Sequence, residues 1–447
     1  MSYIPNTDAD RAQMLEAMGL GGMDDLFAPI PEALRFRGEL NIPHRLDQIA
    51  LARHVARLAK RNAHAEEMPC FLGAGVYDHY VPPTVGAITG RSEFYTSYTP
   101  YQPEVSQGVL QSIFEFQTLL CELLAMDVAN ASMYDGATAL AEAALMAADL
   151  TGRGRLIVPE TTHPIHRHVL DTYVKHLGLA VDWIPQKDGV SDGGALHGAL
   201  SDETAAVIVQ HPNFFGHLED VRRLGEAAHA QGALLVVSAD PISLGLLTPP
   251  GEYGADIVVG EGQGMGCPMG YGGPLLGLFA CKRAFMRRLP GRIVGQTTSE
   301  GGKRAFVMTL RTREQDIRRE RATSNICTNE ALNALAATVY LATMGQAGLR
   351  HVAELCLQKS HYAADEIANI PGYSLAFPGA AFFKEFVVRT PVPPEAVNEH
   401  LLQAGILGGL PLGPYYPDLA DAMLFCVTEQ RTKDEIDALV AALPRRA

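Results

Sequence analysis

The spacing of apolar and polar residues changes at two places along the chain, and these changes divide it into three predicted regions. Residues 1–65 carry apolar positions at helical spacing and are interrupted by Pro29 and Pro31. Residues 66–328 alternate short β-rich runs with helical stretches, and residues 329–447 begin with a long helical pattern. We therefore predict an N-terminal helical arm, a large domain, and a bridging helix with a small C-terminal α+β domain.

The middle region predicts a mainly parallel β-sheet covered by helices on both sides. Helical stretches such as 107–124 and 220–231 lie between some of the predicted strands, and this alternation is typical of a three-layer α/β/α domain. The predicted strands cover residues 155–158, 180–184, 205–209, 233–237, 257–259 and 275–280.

Composition narrows the class of protein. The chain has 447 residues, 47% of them hydrophobic and 19% charged, as in an ordinary globular protein. A net charge of −14 argues against nucleic-acid binding, which needs clustered basic side chains. The 7 scattered cysteines favour reduced intracellular thiols over disulfides or a zinc site. The N-terminal MSYIPNTDADR does not resemble a signal peptide, and no apolar run reaches membrane length. We expect a cytoplasmic enzyme or enzyme subunit without a metal site.

Three motifs in the large domain carry candidate chemistry. In the first, Asp135, Gly136 and Thr138 precede an alanine-rich helix, whose free N–H groups favour an anion such as phosphate. A common helix cap would give the same sequence. In the second, His163 follows a predicted strand and would suit the ring that stacks on a flat cofactor, although a polar loop histidine is the simpler interpretation. The neighbouring His166 and His168 lack a carboxylate or cysteine to complete a metal site.

The third motif is Asp240, at the carboxyl end of an apolar strand. A carboxylate there must be paired, and a pyridinium nitrogen would pair it. Alternatively, Asp240 caps the turn that begins at Pro241. The three motifs occur in the order phosphate loop, stacking ring and strand-end aspartate. This order favours the fold of a pyridoxal phosphate (PLP) enzyme over the simpler interpretation that each motif has when it is taken alone.

The lysine that such a site needs is missing. No lysine lies between Asp188 and Cys281, and the loop after strand 257–259 carries glycines instead. Lys282 lies beyond the next strand, and Lys303, in a glycine-rich stretch, is the one remote substitute. Without an amine no internal aldimine forms. We therefore predict a non-catalytic copy of a PLP fold, with no catalytic residue in this chain alone and with Asp135, Gly136, Thr138, His163 and Asp240 as a vestigial cofactor site.

The chain resembles the glycine cleavage system P-protein family, and within it the first of the two subunits into which some organisms split the protein. The resemblance runs nearly end to end and is carried by YIPNTDADRAQMLEAMG, SYTPYQPEVSQGVLQSIFEFQTLLCELLAMDVANASMYDGATALAEA, GEGQGMGCPMGYGGPLLGLFA and REQDIRRERATSNICTNEALNALAATVYL. It implies a fold-type I PLP-transferase fold. It also implies a partner, subunit 2, that carries the lysine and the PLP, in a heterotetramer with two of each chain. Together the subunits would release CO2 from glycine and transfer the aminomethyl group to the lipoyl arm of H-protein.

Two segments are candidates for shaping the partner's site, because fold-type I sites commonly lie at dimer interfaces. One segment is SYTPYQPEVSQG, where aromatic rings with polar tips suit an interface, although ordinary loop packing would also use them. The other is RATSNICTN, which follows several arginines and could be a helix cap with a basic face, or could meet an acidic H-protein. The candidate residues are Tyr95, Tyr98, Tyr101, Gln102, Glu104, Thr323, Ser324 and Asn325.

Two other functions stay open at this point. The chain could be a self-sufficient PLP enzyme, related to lyases or desulfurases, that uses Lys303. It could also be a scaffold that binds H-protein without contributing to catalysis.

Overall fold

The computed structural model describes residues 5–270 and 273–445, so Tyr271 and Gly272 of the glycine-rich loop and the first residues of the YIPNTDADR motif lie outside the described residues. The chain forms two compact units, residues 1–63 and 64–447. The first boundary lies close to the predicted end of the arm at residue 65. The second predicted boundary, at residue 329, falls inside the larger unit and stays a prediction.

The N-terminal unit contains two helices, α1 (Asp8–Ala17) and α2 (Gln48–Ala59), with short 3-10 turns between them. The Thr7 hydroxyl accepts the Asp10 amide and so caps α1. None of residues 5–63 is buried. Helix α2 carries apolar side chains along one face, and Ile49, Leu51, Val55 and Leu58 are exposed.

The larger unit contains eleven further helices and fifteen strands among its described residues. The helices are α3 (Pro83–Thr89), α4 (Ser92–Tyr95), α5 (Gln107–Leu124), α6 (Gly136–Thr151), α7 (Pro164–Val174), α8 (Gly193–Ala199), α9 (Val221–Ala230), α10 (Gln315–Arg318), α11 (Ala331–Ala368), α12 (Pro394–Gln403) and α13 (Lys433–Ala442). The strands are β1 (Val128–Ala129), β2 (Arg155–Pro159), β3 (Ala180–Ile184), β4 (Gln186–Lys187), β5 (Val190–Ser191), β6 (Thr204–His211), β7 (Leu234–Ala239), β8 (Ile257–Glu261), β9 (Gly277–Cys281), β10 (Ile293–Thr298), β11 (Arg304–Thr309), β12 (Ser374–Leu375), β13 (Glu385–Arg389), β14 (Leu410–Pro411) and β15 (Ala422–Cys426).

A seven-stranded sheet forms the centre of the larger unit, in the order β1-β9-β8-β7-β6-β2-β3. The strands from β8 to β3 are parallel, and β9 is antiparallel to both of its neighbours. Strands β6 and β7 are buried along almost their whole length, which explains their continuous apolar sequences. Helix α6 packs on the sheet through small side chains, including Ala139, Ala143 and Ala147. The predicted α/β fold with a mainly parallel sheet is confirmed.

Helix α11 joins the central sheet to the C-terminal part of the chain. The long helical pattern predicted from residue 329 onward is helical to Ala368 except at Gly345, whose φ of 60° and ψ of −175° interrupt the helical geometry. Beyond α11, a four-stranded antiparallel sheet has the order β12-β13-β15-β14. Sequence reasoning missed β15 and the hairpin of β10 and β11. No helix of the described residues combines the length and the apolar character needed to cross a membrane.

Candidate functional site

Four polar side chains lie at or just beyond the carboxyl ends of neighbouring parallel strands. His163 follows β2, Asn213 follows β6, Asp240 follows β7, and Glu261 is the last residue of β8. Open α/β sheets bind their ligands at this edge. The structure therefore places the predicted residues His163 and Asp240 on the edge where a cofactor site belongs.

Asp240 is paired with a lysine from the C-terminal part of the chain. The Nζ atom of Lys384, just before β13, lies 2.7 Å from Oδ2 of Asp240. The Lys384 side chain is 2% exposed and that of Asp240 is 16% exposed. The other carboxylate oxygen of Asp240 accepts the Ile242 amide at 3.0 Å, so the alternative role of Asp240 as a turn cap is also present.

The surroundings of Lys384 keep its amine charged. Burial is the largest single effect and lowers the pKa of Lys384, but the carboxylate of Asp240 and the nearby Cys426 and Cys356 together raise it by more, so the pKa lies above the ordinary value for lysine. The ammonium also lies 3.0 Å from Nε2 of His79 and 3.5 Å from the centre of the Tyr77 ring. A lysine ammonium has three hydrogens and no lone pair, so Asp240, His79 and Tyr77 together satisfy it.

The predicted phosphate loop is also occupied by a side chain of the protein. Asp135 and Thr138 form a capping box at the start of α6, in which Oδ1 of Asp135 accepts the Thr138 amide at 2.7 Å. The Gly136 amide, at the first position of the helix, donates to Oε2 of Glu261 at 2.9 Å. The helix start thus faces a carboxylate where the cofactor hypothesis required a phosphate.

Glu261 is held by three backbone donors from three segments. Besides the Gly136 amide, its Oε1 atom accepts the amides of Gln263 at 2.9 Å and Leu276 at 2.8 Å. Burial raises the pKa of Glu261 to about 7, although these three amides act in the opposite direction. All three contacts come from N–H groups, which the ionised carboxylate accepts without conflict.

His163 makes its contacts within the protein. Its Nδ1 accepts the Ile165 amide at 3.1 Å, and its Nε2 lies 2.8 Å from the Ala74 carbonyl, so the proton is on Nε2. Burial lowers the pKa of His163 and favours this neutral form. One face of its ring stacks on His166 at 4.7 Å between ring centres.

The loop after β8, where a Schiff-base lysine would lie, is held by a glutamine. Gln263 is buried, and its side chain accepts the Tyr77 amide and donates to the carbonyls of Tyr77 and Cys267. Lys282 instead pairs with Asp256 at 2.6 Å at the half-exposed end of β9, and Lys303 is exposed between β10 and β11. Neither amine contacts the strand-end site.

The residues present do not fit a bound PLP. The carboxylate for the pyridinium nitrogen is neutralised by Lys384, and the helix start for the phosphate is capped by Glu261. Lys384 cannot serve as the Schiff-base lysine in this arrangement, because the aldehyde carbon of PLP lies across the ring from the nitrogen that Asp240 would contact.

A possible metal cluster beside this site is better explained as a hydrogen-bonded group. The ligand atoms of His79, Cys356 and Glu429 lie within 4.8 Å of one another. However, Nδ1 of His79 bonds Glu429 at 2.7 Å and its Nε2 faces the Lys384 ammonium, which would repel a cation. The absence of a metal site stays a prediction.

Arg292 joins the two segments predicted to face a partner. Its guanidinium lies 3.1 Å from the Tyr101 hydroxyl and also donates to the Thr328 hydroxyl and the Cys327 carbonyl. Arg292 is buried, and its Nε lies 3.6 Å from Glu314. The SYTPYQP and RATSNICTN segments therefore meet at one place, which we call the Arg292 junction.

Most of the candidate residues near the Arg292 junction are exposed. Tyr98 is 82% exposed, and Tyr95, Tyr101, Gln102, Glu104, Thr323 and Asn325 are also exposed. Ser324 differs, since its hydroxyl donates to Glu142 at 2.7 Å and accepts the Ile326 amide. Helix α11 begins only at Ala331, so Thr323 to Asn325 do not cap it.

Sequence reasoning missed Lys384, Glu261 and Arg292. Lys384 and Glu385 interrupt the apolar run FFKEFVV, and charges inside a buried strand are a usable signal of a paired site. Glu261 lies in the glycine-rich string that we had quoted without assigning it a role. Nothing in the local sequence distinguishes Arg292 from the other arginines nearby.

Comparisons with known proteins agree over the full chain. The family model described as Glycine cleavage system P-protein matches residues 1–443. A probable glycine dehydrogenase (decarboxylating) subunit 1 from Desulfitobacterium hafniense is 54% identical over 443 residues, which cover 99% of both chains. The relative of the same name from Geobacillus kaustophilus is 52% identical over 441 residues, covering 99% of this chain and 98% of its own.

Solved structures give the same picture of the fold. A crystal structure of glycine decarboxylase (P-protein) of the glycine cleavage system, in inhibitor-bound form, matches with a TM-score of 0.91 and 44% identity over 99% of both chains. The sphingosine-1-phosphate lyase Bpss2021 of Burkholderia pseudomallei matches with a TM-score of 0.64 at 16% identity, covering 92% of this chain and 94% of its own. The second likeness supports the fold alone.

Proposed function

Because the chain belongs to the glycine cleavage system P-protein family, we propose that it works as the lysine-free subunit of a two-chain glycine decarboxylase. The partner, subunit 2, holds the PLP and its lysine. The complex releases CO2 from glycine and transfers the aminomethyl group to the lipoyl arm of H-protein. The main support for assigning the PLP to subunit 2 is the ion pair between Asp240 and Lys384 within this chain. This pair leaves no place for the pyridinium nitrogen of PLP.

The Arg292 junction is the surface that we propose for contact with the partner's site. It combines exposed tyrosines, whose rings are apolar and whose hydroxyls are polar, with exposed Thr323. The guanidinium of Arg292 holds Tyr101 and the backbone before α11 at fixed positions, and Arg311 also lies over the Tyr101 ring. A surface built in this way is fixed before it meets a partner, which lowers the entropic cost of association.

The N-terminal unit supports the proposal of an obligate partner. Its side chains at Leu34, Phe36, Ile42 and Ile49 are each more than half exposed. A stable monomer seldom leaves so many apolar side chains uncovered in one segment. We propose that subunit 2 covers them in a heterotetramer of closed symmetry. The 7 free cysteines favour a cytoplasmic complex.

Co-purification with a lysine-bearing subunit 2 tests the proposed function. We expect a complex whose mass fits two copies of each chain and whose PLP content is one per subunit 2. Exchange of the glycine carboxyl carbon with CO2 should require both chains. If subunit 2 alone exchanges at the full rate, this chain is a scaffold, and an aldimine absorbance in this chain alone that Lys303→Ala removes would support a self-sufficient enzyme.

Substitutions at the Arg292 junction refine the test. Tyr98→Phe and Thr323→Ala should lower the exchange activity of the complex and leave the melting temperature of this chain unchanged, because both side chains are exposed. His176→Ala, at an exposed site beyond the end of α7, serves as the matched surface control. Kinetics equal to those of the wild type in both junction variants would remove these residues from the partner's site.

A further inference from the structure

We propose that Lys384 and Glu261 replace the two charged ends of PLP in this chain, so that the protein fills the vestigial cofactor site with its own side chains. The ammonium of Lys384 takes the place of the pyridinium on Asp240. The carboxylate of Glu261 takes the place of the phosphate at the start of α6. The inference rests on the proposal that this chain holds no PLP of its own.

The contacts of Lys384 match those of a built cation site. The Nζ atom lies 2.7 Å from Asp240, 3.0 Å from Nε2 of His79 and 3.5 Å from the Tyr77 ring centre. These partners come from two segments that are far from Lys384 in sequence, the loop before α3 with Tyr77 and His79 and the end of β7 with Asp240. An unpaired carboxylate at the end of β7 would be costly, and Lys384 removes that cost as a protonated cofactor nitrogen would.

The contacts of Glu261 match those of a built anion site. The amides of Gly136, Gln263 and Leu276 converge on its two oxygens at 2.8 to 2.9 Å. The 16-residue helix α6 also points its N-terminus at this carboxylate. A side chain at Gly136 would place its Cβ 3.1 Å from Cβ of Glu261, so glycine is what lets the carboxylate approach the helix start.

The two replacements lie on different parts of the fold. Glu261 belongs to β8 of the central sheet, whereas Lys384 directly precedes β13 of the C-terminal sheet. The Lys384–Asp240 pair therefore ties the C-terminal part of the chain to the carboxyl edge of the central sheet. In this subunit the former cofactor site has become a contact between the two sheets.

Anion rescue in the full-length chain tests the proposed replacement of the PLP phosphate by Glu261. Glu261→Ala removes the carboxylate and leaves three amides around a space, which formate or inorganic phosphate can fill. At pH 8 the wild-type Glu261, with its pKa of about 7, is mostly ionised and occupies the site. In the variant, which lacks this carboxylate, we expect either anion to raise the melting temperature by roughly 3 °C or more. Glu142→Ala is the matched control, because Glu142 is buried but its oxygen accepts a hydroxyl and no helix-start amide.

The outcomes of the anion experiment are distinct. An equal shift in the wild type, Glu142→Ala and Glu261→Ala, or no shift in Glu261→Ala, overturns the role of Glu261. If Glu261→Ala does not fold in plain buffer, its refolding yield with and without formate decides the same point. A yield that does not depend on the anion, including none in either condition, also contradicts the proposal.

A double-mutant cycle tests the Lys384 half. Lys384→Met and Asp240→Asn should each lower the melting temperature of the full chain by roughly 5 °C or more, because each leaves one buried group without its partner. In the double variant, the melting temperature should recover at least half of the loss seen in the single variants, since no unpaired charge remains. Additive losses in the double variant would show that the two side chains act separately and would contradict the replacement.

Adding PLP to the wild-type chain separates this inference from the proposed function. Binding of PLP by the wild type, seen as a bound absorbance after gel filtration, would contradict the proposal that subunit 2 alone holds the cofactor. A different result would be no PLP binding, no anion rescue and no coupling between Lys384 and Asp240. That result would contradict the proposal that Lys384 and Glu261 replace the charged ends of PLP, and it would leave the proposed function intact.

Discussion

At the scale of single residues, buried charges decide what this chain can bind. Asp240, Lys384, Glu385 and Glu261 all lie at the junction between the two sheets or at the start of α6. Each would destabilise the fold if left alone, and each has a partner of suitable charge or hydrogen-bonding type. Because the partners of these four residues belong to the same chain, the strand-end site is part of the folded core.

Glu385 makes the stability of this core depend on pH. Its carboxylate accepts the Ala74 amide at 2.7 Å and the Tyr77 hydroxyl at 2.9 Å, and burial raises its pKa to about 7. A pKa above the unfolded value of about 4.5 means that the folded state binds the proton more tightly. The contribution to stability is therefore full below pH 4.5 and is lost as the pH rises towards 7.

We expect the free energy of unfolding to fall by roughly 2 to 3 kcal/mol over this range because of Glu385 alone. Glu385→Gln should remove that part of the slope, measured by chemical denaturation between pH 5 and 8. Glu115→Gln, at an exposed site on α5, should keep the wild-type slope. An unchanged slope in Glu385→Gln would mean that this carboxyl is ionised throughout the range.

Substitution of Arg292 should also lower the stability of the chain. Arg292→Met removes the hydrogen bonds to Tyr101, Thr328 and Cys327, so we expect a loss of roughly 2 to 4 kcal/mol in stability. We also expect weaker binding to subunit 2, measured by titration calorimetry. Arg288→Met is the matched control, because its pair with Asp149 is exposed and should contribute less than about 1 kcal/mol. Equal effects of the two substitutions would contradict a special role for the junction.

At the scale of elements, local sequence predicted what local forces determine. Helix α5 has the predicted ends because its apolar spacing is regular and Ala125 leaves the helical region with a φ of 53°. Strand β7 ends at Ala239, so Asp240 lies at its carboxyl end as predicted from the end of the apolar run. The partner of Asp240 could not be predicted in this way, because Lys384 reaches it only when the C-terminal sheet packs on the central one.

The break in α11 offers a test at the same scale. Gly345 has a φ of 60°, which strains any other residue, so Gly345→Ala should destabilise the chain by roughly 1 to 2 kcal/mol. Gly86→Ala, inside α3 with open space around the added Cβ, should be neutral or stabilising by less than about 1 kcal/mol. The two changes in the free energy of unfolding should differ in sign or clearly in size, and equal values would mean that α11 relaxes into a continuous helix.

At the scale of the whole molecule, the N-terminal unit lacks the buried core that the larger unit has. None of its described residues is buried, whereas the larger unit has an extensive core on both faces of the central sheet. Burial within residues 5–63 therefore contributes little hydrophobic stabilisation to this unit. The amphipathic spacing of α2 predicted the helix from sequence, but not what covers its apolar face.

Paired substitutions on α2 test this point in the intact chain. Ile49→Ser with Val55→Ser should leave the melting temperature of the isolated chain within about 1 °C, because both side chains are more than half exposed. The same variant should weaken binding to subunit 2 at least tenfold, or by about 1.4 kcal/mol. Arg53→Ser with Arg57→Ser, on the same helix, is the control for altered helix propensity. A loss of affinity no greater than in this control would exclude the apolar face of α2 from the interface.

If this chain holds no PLP of its own, as proposed, the pairing of Asp240 with Lys384 makes that condition hard to reverse in evolution. A chain that acquired a lysine in place of Gln263 would still offer PLP a neutralised carboxylate and a helix end already capped by Glu261. Return to cofactor binding would need several substitutions, and single steps along that route would leave a buried charge or unpaired amides. Under the proposed division of roles, folding stability would act together with selection for activity to keep the two subunits from exchanging their roles.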